Sequence, residues 1–299
     1  MGSSEPYIVV GLGEVLWDLL PEGKQLGGAP ANFTFHAQAL GARGVLVSAV
    51  GEDALGGEII DTLERHGLET GYVARDKAHP TGTVSVTVDG DGVPSYTIHE
   101  GVAWDYLTFS ERCDALAREA DAICFGSLAS RNPDSRGCIH RFLESAMPGC
   151  LRVFDVNLRQ QYYDGALLQT LLEHTEVLKL NEDELPVIAE LLNIPGSTKE
   201  RMDALLDRFA LDAIALTRGA RGSVLLTPGQ LAVHQGVRAD RLADTVGAGD
   251  AFTAMVVTGL LNEWPLDEIS ERANLLAAHV CAHHGAMAPH PVGIGAPMY

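Results

Sequence analysis

Short apolar runs alternate with amphipathic stretches along most of this chain. Residues 7–10 are apolar and β-branched and stop at Gly11, which predicts a buried strand. Residues 31–40 carry a helical pattern, with Pro30 at a first-turn position and Gly41 as the stop. A second strand is predicted over 44–50 and an amphipathic helix over 55–66, ended by Gly67. The rhythm returns from residue 122. Strands are predicted over 122–125, 151–156, 177–180 and 213–217, and helices over 135–145, 165–174, 182–192 and 201–209. Apolar strands separated by helices predict an α/β fold with a mainly parallel sheet covered on both faces.

Two stretches break the rhythm. Residues 81–100 alternate at Val84, Val86 and Val88, turn at Asp89-Gly90-Asp91-Gly92, and alternate again at Tyr96 and Ile98, the pattern of a hairpin. Residues 14–26 are also strand-like, and with the hairpin predict a small antiparallel sheet outside the main one. Residues 222–238 predict short strands at the far edge of the main sheet.

A chain of 299 residues suits one large α/β domain with an appendage. Its 21 Lys and Arg against 40 Asp and Glu give a formal charge of −19. That argues against a nucleic acid or an anionic membrane as the main partner, and leaves anionic small molecules open. No apolar run approaches a membrane span, and no basic segment followed by an apolar stretch opens the chain. The five cysteines are odd in number, lack CxxC spacing and read as buried reduced thiols, so a reducing, cytoplasmic setting is expected.

Candidate chemistry lies in three glycine clusters. V-V-G-L-G-E-V-L at 9–16 follows a strand, but Leu16 stands where a dinucleotide fingerprint needs its third glycine, and no helix follows. L-G-G-A-P-A-N-F-T-F-H-A at 26–37 joins a Gly-Gly turn to a helix start carrying Asn32, whose amide could hold a pair of sugar hydroxyls. D-T-V-G-A-G-D-A-F at 244–252 leads into a long apolar helix. Gly247 and Gly249 allow positive φ and close backbone approach, and free N–H groups at the helix start near Ala248 make an anion site. Asp250 caps the helix or accepts a proton from an attacking hydroxyl beside that site. No Lys-Ser/Thr follows the glycines, so this is not a Walker loop. His279 and His283 share a helix face near His284 and His290; without the glutamate of H-E-x-x-H they read as flanking a ligand cleft rather than holding zinc.

G-G-A-P-A-N-F with A-L-G, and D-T-V-G-A-G-D-A-F, resemble the two signatures of the ribokinase/PfkB carbohydrate kinases. N-E-D-E at 181–184 and L-T-R-G-A-R-G-S at 216–223 match in order and spacing. V-A-W-D at 102–105 and F-D-V-N-L-R at 154–159 look most like the fructokinase-like branch. The resemblance implies a ribokinase-like three-layer α/β/α fold over residues 1–299, with a β-sheet lid from about 14–26 and 81–104. It implies Asp250 as catalytic base, with the amides of Gly247, Ala248 and Gly249 as an anion hole. Asp18, Gly28, Asn32 and Arg159 match sugar contacts; an ion pair of Arg159 with Asp155 or Asp164 is the alternative. Asn181 and Glu184 match the motif that organises Mg²⁺ through water, and Thr217 and Gly219 the turn beside the nucleotide phosphates, where Arg218 could add charge. Adenine is expected near the loop at 283–286. Asp244 and Val246 match two positions of a monovalent cation site, K⁺ in particular. The implied activity is transfer of the ATP γ-phosphoryl group to a primary hydroxyl of a sugar, fructose first, by a homodimer paired through its lids. A sugar-acid kinase for 2-keto-3-deoxygluconate, a ribokinase, and a non-catalytic sugar-binding regulator are the alternatives.

Overall fold

The computed structural model describes residues 5–21, 23–88, 94–237, 242–291 and 293–295. The elements run β1 (Ile8–Leu12), β2 (Leu16–Leu20), β3 (Gly23–Gly27), α1 (Ala29–Ala39), β4 (Arg43–Gly51), α2 (Ala54–Arg65) and β5 (Val73–Asp76). Next come β6 (Thr83–Val88), β7 (Pro94–Ile98), α3 (Glu111–Glu119), β8 (Ala122–Phe125), α4 (Pro133–Ser145), β9 (Leu151–Asp155), α5 (Gly165–Leu172) and β10 (Val177–Asn181). The chain continues through α6 (Glu184–Leu191), α7 (Thr198–Arg208), β11 (Ala213–Thr217), β12 (Ser223–Thr227), β13 (Gln230–His234), α8 (Ala248–Leu261) and α9 (Leu266–Cys281).

The main sheet has nine strands in the order β13-β12-β11-β10-β9-β8-β1-β4-β5. Its pairs are parallel except those made by β12, which returns antiparallel to both β11 and β13. From β1 the chain moves outward to β4 and β5, and from β8 it moves outward the other way. The crevice above β1 is therefore the topological switch point, where open α/β sheets hold their ligands. The second sheet runs β3-β2-β6-β7. It consists of two antiparallel hairpins joined by a parallel β2–β6 pair, because both hairpins leave the main sheet in the same direction. The turn predicted at Asp89–Gly92 lies outside the described residues.

Apolar side chains alternate across the main sheet and fill both faces. Phe125, Phe154, Leu178 and Ile214 meet Phe142 of α4 and Leu171 of α5 on one face. Val9, Val153 and Val177 meet Phe33 of α1 and Ala254 and Val257 of α8 on the other. Each fully buried Leu, Val or Phe contributes about 1.5–3 kcal/mol. Helix α8 is buried at every position from Ala251 to Val257, which explains its apolar sequence all round. Covered by α1 and α9, it presents its N-terminus to the switch-point crevice. Residues 9–16 pass from β1 into β2 with no helix between, so the phosphate-binding helix that a dinucleotide site requires is not formed there. Of the five cysteines, all free, only Cys281 is partly exposed.

Candidate active site

The carboxyl ends of β1, β9, β10 and β11 meet the N-terminus of α8 and the inner face of the small sheet around a cavity of about 440 Å³. Asp18, Gly28, Asn32, Arg159, Asn181, Thr217, Val246, Gly247, Gly249 and Asp250 all line it. Residues from six separated segments thus converge on one place. Ala248, Glu184, Gly219 and Asp244 stand behind this lining.

Gly247 precedes α8 at φ 78°, ψ −10°, a left-handed conformation that disfavours any side chain. A Cβ there would also lie 2.6 Å from the Cα, Cβ and O of Ala286. Gly249, by contrast, is helical, and its lack of a side chain leaves room for Lys179, whose Nζ would sit 3.1 Å from a Cβ. The amides of Gly247, Gly249 and Asp250 donate to no protein group among the described residues, while Ala248 N makes only a long 3.4 Å contact to Thr245 O. The free donors therefore extend one residue further into the helix than the glycines suggest, and add to the positive end of its dipole.

Asp250 lies in the first turn of α8 and accepts a 2.8 Å hydrogen bond from Asn32 Nδ2. Burial, and next the charge of Asp155, push its carboxyl up to about 6, against the lowering effects of Asn32, Lys179 and Arg159. The carboxylate is thus poised to take a proton near neutral pH. Asn32 Oδ1 is buried without a partner, so the amide that orients Asp250 keeps an acceptor for a ligand hydroxyl.

Three groups here were not singled out by sequence reasoning. Lys179 Nζ donates to Asp155 Oδ1 at 2.8 Å, and Thr253 Oγ1 of α8 donates to Asp155 Oδ2 at 2.9 Å. This buried network fixes α8 against the ends of β9 and β10 and places a cation beside the free amides. Glu14 is 3 % exposed, lines the cavity and has its Oε2 unpartnered. Burial pushes its carboxyl up to about 7. Asn157 lines the cavity at φ 44°, a left-handed turn that asparagine tolerates, and the chain turned there carries Arg159 into the cavity.

Arg159 makes no ion pair among the described residues. Asp155 is taken by Lys179, and Asp164 caps α5 through Leu167 N. Asp18 projects from β2, its carboxyl raised by burial and lowered by Arg159. Gly28, at φ 111°, begins α1 against the backbone of Glu14. On the opposite side of the cavity, Asn181 Oδ1 accepts from Asp183 N and Glu184 N. Glu184 in turn accepts from Asn181 N and Leu158 N. Its carboxyl is raised by burial and lowered by Lys179. Arg218 does not reach the cavity; its Nη2 is bound to the carbonyls of Arg221, Ser223 and His234. The left-handed Gly219 turns the chain back toward β12.

The loop after α9 supports the anion site from behind. Asp244 accepts from Val246 N and Gly285 N. His36 Nε2 donates to Ala286 O at 2.8 Å and its Nδ1 meets His290 Nε2 at 2.7 Å. Burial lowers both imidazoles to about 4, so each is neutral at neutral pH. His279 and His283 are engaged with the carbonyls of Pro289 and His279, respectively.

A switch-point cavity with free helix-start amides, a carboxylate poised near neutral pH and a sheet above it has the components of a phosphoryl-transfer enzyme. The chain belongs to the pfkB family of carbohydrate kinases, whose family model matches residues 22–292. It is therefore a phosphotransferase with a sugar acceptor, on a ribokinase-like fold. It is 30 % identical over 293 residues to a sugar kinase of Pyrococcus horikoshii, covering 93 % of this chain and 91 % of that one. It is 31 % identical over 290 residues to the fructokinase of Salmonella typhimurium, with the same coverage. The solved structure of the Pyrococcus horikoshii enzyme with ATP superimposes with a TM-score of 0.77 at 26 % identity, over 94 % of each chain. A Vibrio cholerae fructokinase variant, with fructose, ADP and a potassium ion bound, superimposes with a TM-score of 0.79 at 23 % identity, over 96 % of each chain. Among the described residues no helix is long and apolar enough to cross a membrane.

Proposed function

We propose that this protein transfers the γ-phosphoryl group of ATP to a primary hydroxyl of a neutral sugar, fructose before others. The observation that carries the reading is Asp250, held by Asn32 beside three free backbone amides at the mouth of α8. Asp250 takes the proton of the attacking hydroxyl. The amides of Gly247, Gly249 and Asp250, with Lys179, balance the charge on the transferring group. Asp18 and Asn32 orient the sugar hydroxyls, and Arg159 reaches the sugar and the phosphoryl group from across the cavity. Among the described residues, the acids facing the cavity, Glu14, Asp18 and Asp250, outnumber its unpaired cation, Arg159, and favour a polyhydroxy sugar over a sugar acid.

The nucleotide would lie along Asn181, Thr217 and the turn at Gly219, with its base toward residues 283–286. The residues present fit Mg²⁺. Both Glu184 oxygens accept backbone N–H groups and stand behind the cavity lining, so Glu184 would hold the ion through water. When bound, Mg²⁺ would neutralise phosphate charge. The Asp244 carboxylate and the Val246 carbonyl would supply hard oxygens to K⁺, the ion named in the Vibrio cholerae fructokinase structure. The chain acts as one kinase domain over 1–299 in the cytoplasm, its small sheet closing over the sugar to exclude water. That sheet ends in the edge strands β3 and β7, and exposes Tyr96 at 57 %. Edges of this kind seek cover, and two lids pair in a homodimer; a monomer in sedimentation at micromolar concentration would contradict this.

The test is ADP release from Mg²⁺-ATP over a panel of ketoses, aldoses, sugar acids and nucleosides, with and without K⁺. Fructose is expected to give the highest kcat/KM. A preference for 2-keto-3-deoxygluconate or ribose would reassign the acceptor, and saturable sugar binding with no ADP release would mark a non-catalytic sugar sensor.

A further inference from the structure

On the sheet face opposite α8, two neighbouring crossover helices bring together a group of side chains that the kinase site does not use. His140 and Glu144 stand one turn apart on α4, and His174 lies in the turn after α5. One donor atom from each lies within 4.8 Å of the other two. The imidazoles are 4.6 Å apart between centroids with their planes at 81°, and no hydrogen bond joins them. Among the described residues none of these three side chains takes part in a hydrogen bond or an ion pair. Their charged neighbours are engaged elsewhere: Arg152 with Glu176, and Glu173 with Gln169. Burial and the nearby His140 and Arg152 lower the His174 imidazole, against the opposing pull of Glu144 and Glu173. At neutral pH it offers a neutral ring, the form that coordinates metals.

We propose that His140, Glu144 and His174 bind one divalent transition-metal ion of the zinc class, clasping α4 to the turn after α5. Two imidazoles and a carboxylate suit Zn²⁺, Co²⁺, Ni²⁺ or Cu²⁺, whereas Mg²⁺ and Ca²⁺ prefer oxygen alone. Metal–ligand bonds of about 2.0–2.2 Å place tetrahedral donors roughly 3.4 Å apart. The donors therefore need to close by little more than about 1 Å, within reach of side-chain rotation on a helix surface. Water completes the shell. Because the ligands come from two segments that meet only in the folded chain, the ion binds the native state and stabilises it.

The test uses the full chain, stripped of metal with a chelator. Zn²⁺ binding is followed by calorimetry, and Co²⁺ binding by its visible absorption, in the wild type, His140→Ala, His174→Ala and a His279→Ala/His283→Ala control. One Zn²⁺ per chain with micromolar affinity and a raised Tm are expected. Loss of a residue that only orients a ligand costs roughly 10–100-fold in affinity, so His140→Ala and His174→Ala should each lose at least that much. The control should bind Zn²⁺ as the wild type does, and Mg²⁺-ATP-dependent sugar phosphorylation should be unchanged in His140→Ala and His174→Ala. These positions are at least partly exposed, and matching far-UV spectra without metal establish that the variants fold. Wild-type binding no tighter than millimolar, or unchanged affinity in His174→Ala, would overturn the proposal.

Discussion

Lys179 sits in the middle of an apolar strand, and replacing it with methionine keeps its bulk while deleting its charge. The Nζ lies 2.8 Å from Asp155 Oδ1, and both side chains are at least nine-tenths buried. Removing one partner of such a pair leaves an uncompensated buried charge and costs about 3–5 kcal/mol. At a urea slope of roughly 2–3 kcal/mol per molar, the unfolding midpoint should fall by about 1–2 M. Adding Asp155→Asn to Lys179→Met removes the stranded carboxylate and keeps an oxygen for Thr253, so much of the loss should return. The double-mutant cycle then gives a coupling energy of roughly 1–3 kcal/mol. Activity supplies a second readout. Lys179 lowers the pKa of Asp250 and Asp155 raises it. The acid limb of kcat/KM should move to higher pH in Lys179→Met and back again in the double variant. A single substitution costing less than about 1 kcal/mol, with no recovery in the double variant, would refute the assignment of this pair as a buried strut beneath the anion site.

Three further outcomes follow from the same geometry. The acid limb of kcat/KM should fall near pH 6, the raised value for Asp250, as a joint property of Asp250 and the neighbouring Glu14 carboxyl at about 7; a limb near pH 4 in a pH–rate profile would contradict it. Ionising a carboxyl whose pKa rises from 3.8 to about 6 costs the folded state about 3 kcal/mol. That cost is absent below pH 4 and complete above pH 6, so the Tm advantage of Asp250→Asn over the wild type should grow across that interval. Gly247→Ala forces a left-handed alanine, at about 1–2 kcal/mol, and drives its Cβ against Ala286; phosphorylation should fall at least about tenfold while the far-UV spectrum is kept.

The sequence made the alternation of β1, β4 and β8 to β11 with their helices legible, because strands buried on both faces read as short apolar runs. The hairpin β6–β7 was legible from alternation and turn residues, and β12 and β13 as short edge strands; residues 14–26 read only as strand-like, and the structure divides them into the hairpin β2–β3. The joining of the two small-sheet hairpins by a parallel β2–β6 pair was not legible, since pairing depends on where each hairpin leaves the main sheet. Gly247, Asn32 and Asp250 converge as their motifs imply. The Lys179–Asp155 pair was missed because only register brings the two together: 24 residues apart in sequence, they are direct partners across the parallel β9–β10 pair. Glu14 was missed because an acid beside a glycine at a strand end looks like a solvated turn until the small sheet covers it. Arg218 stood in a matching motif, yet its long side chain folds back onto nearby carbonyls, which sequence spacing alone does not reveal.

The central claim is that Asp250 accepts the proton of a sugar hydroxyl at the mouth of α8. It is tested most directly by ADP release with saturating fructose and Mg²⁺-ATP in the wild type and in Asp250→Asn, both shown to be folded. General-base removal should lower kcat by roughly 10²–10⁴ while fructose and ATP still bind. A folded Asp250→Asn enzyme that phosphorylates fructose at a near-wild-type rate would contradict the account.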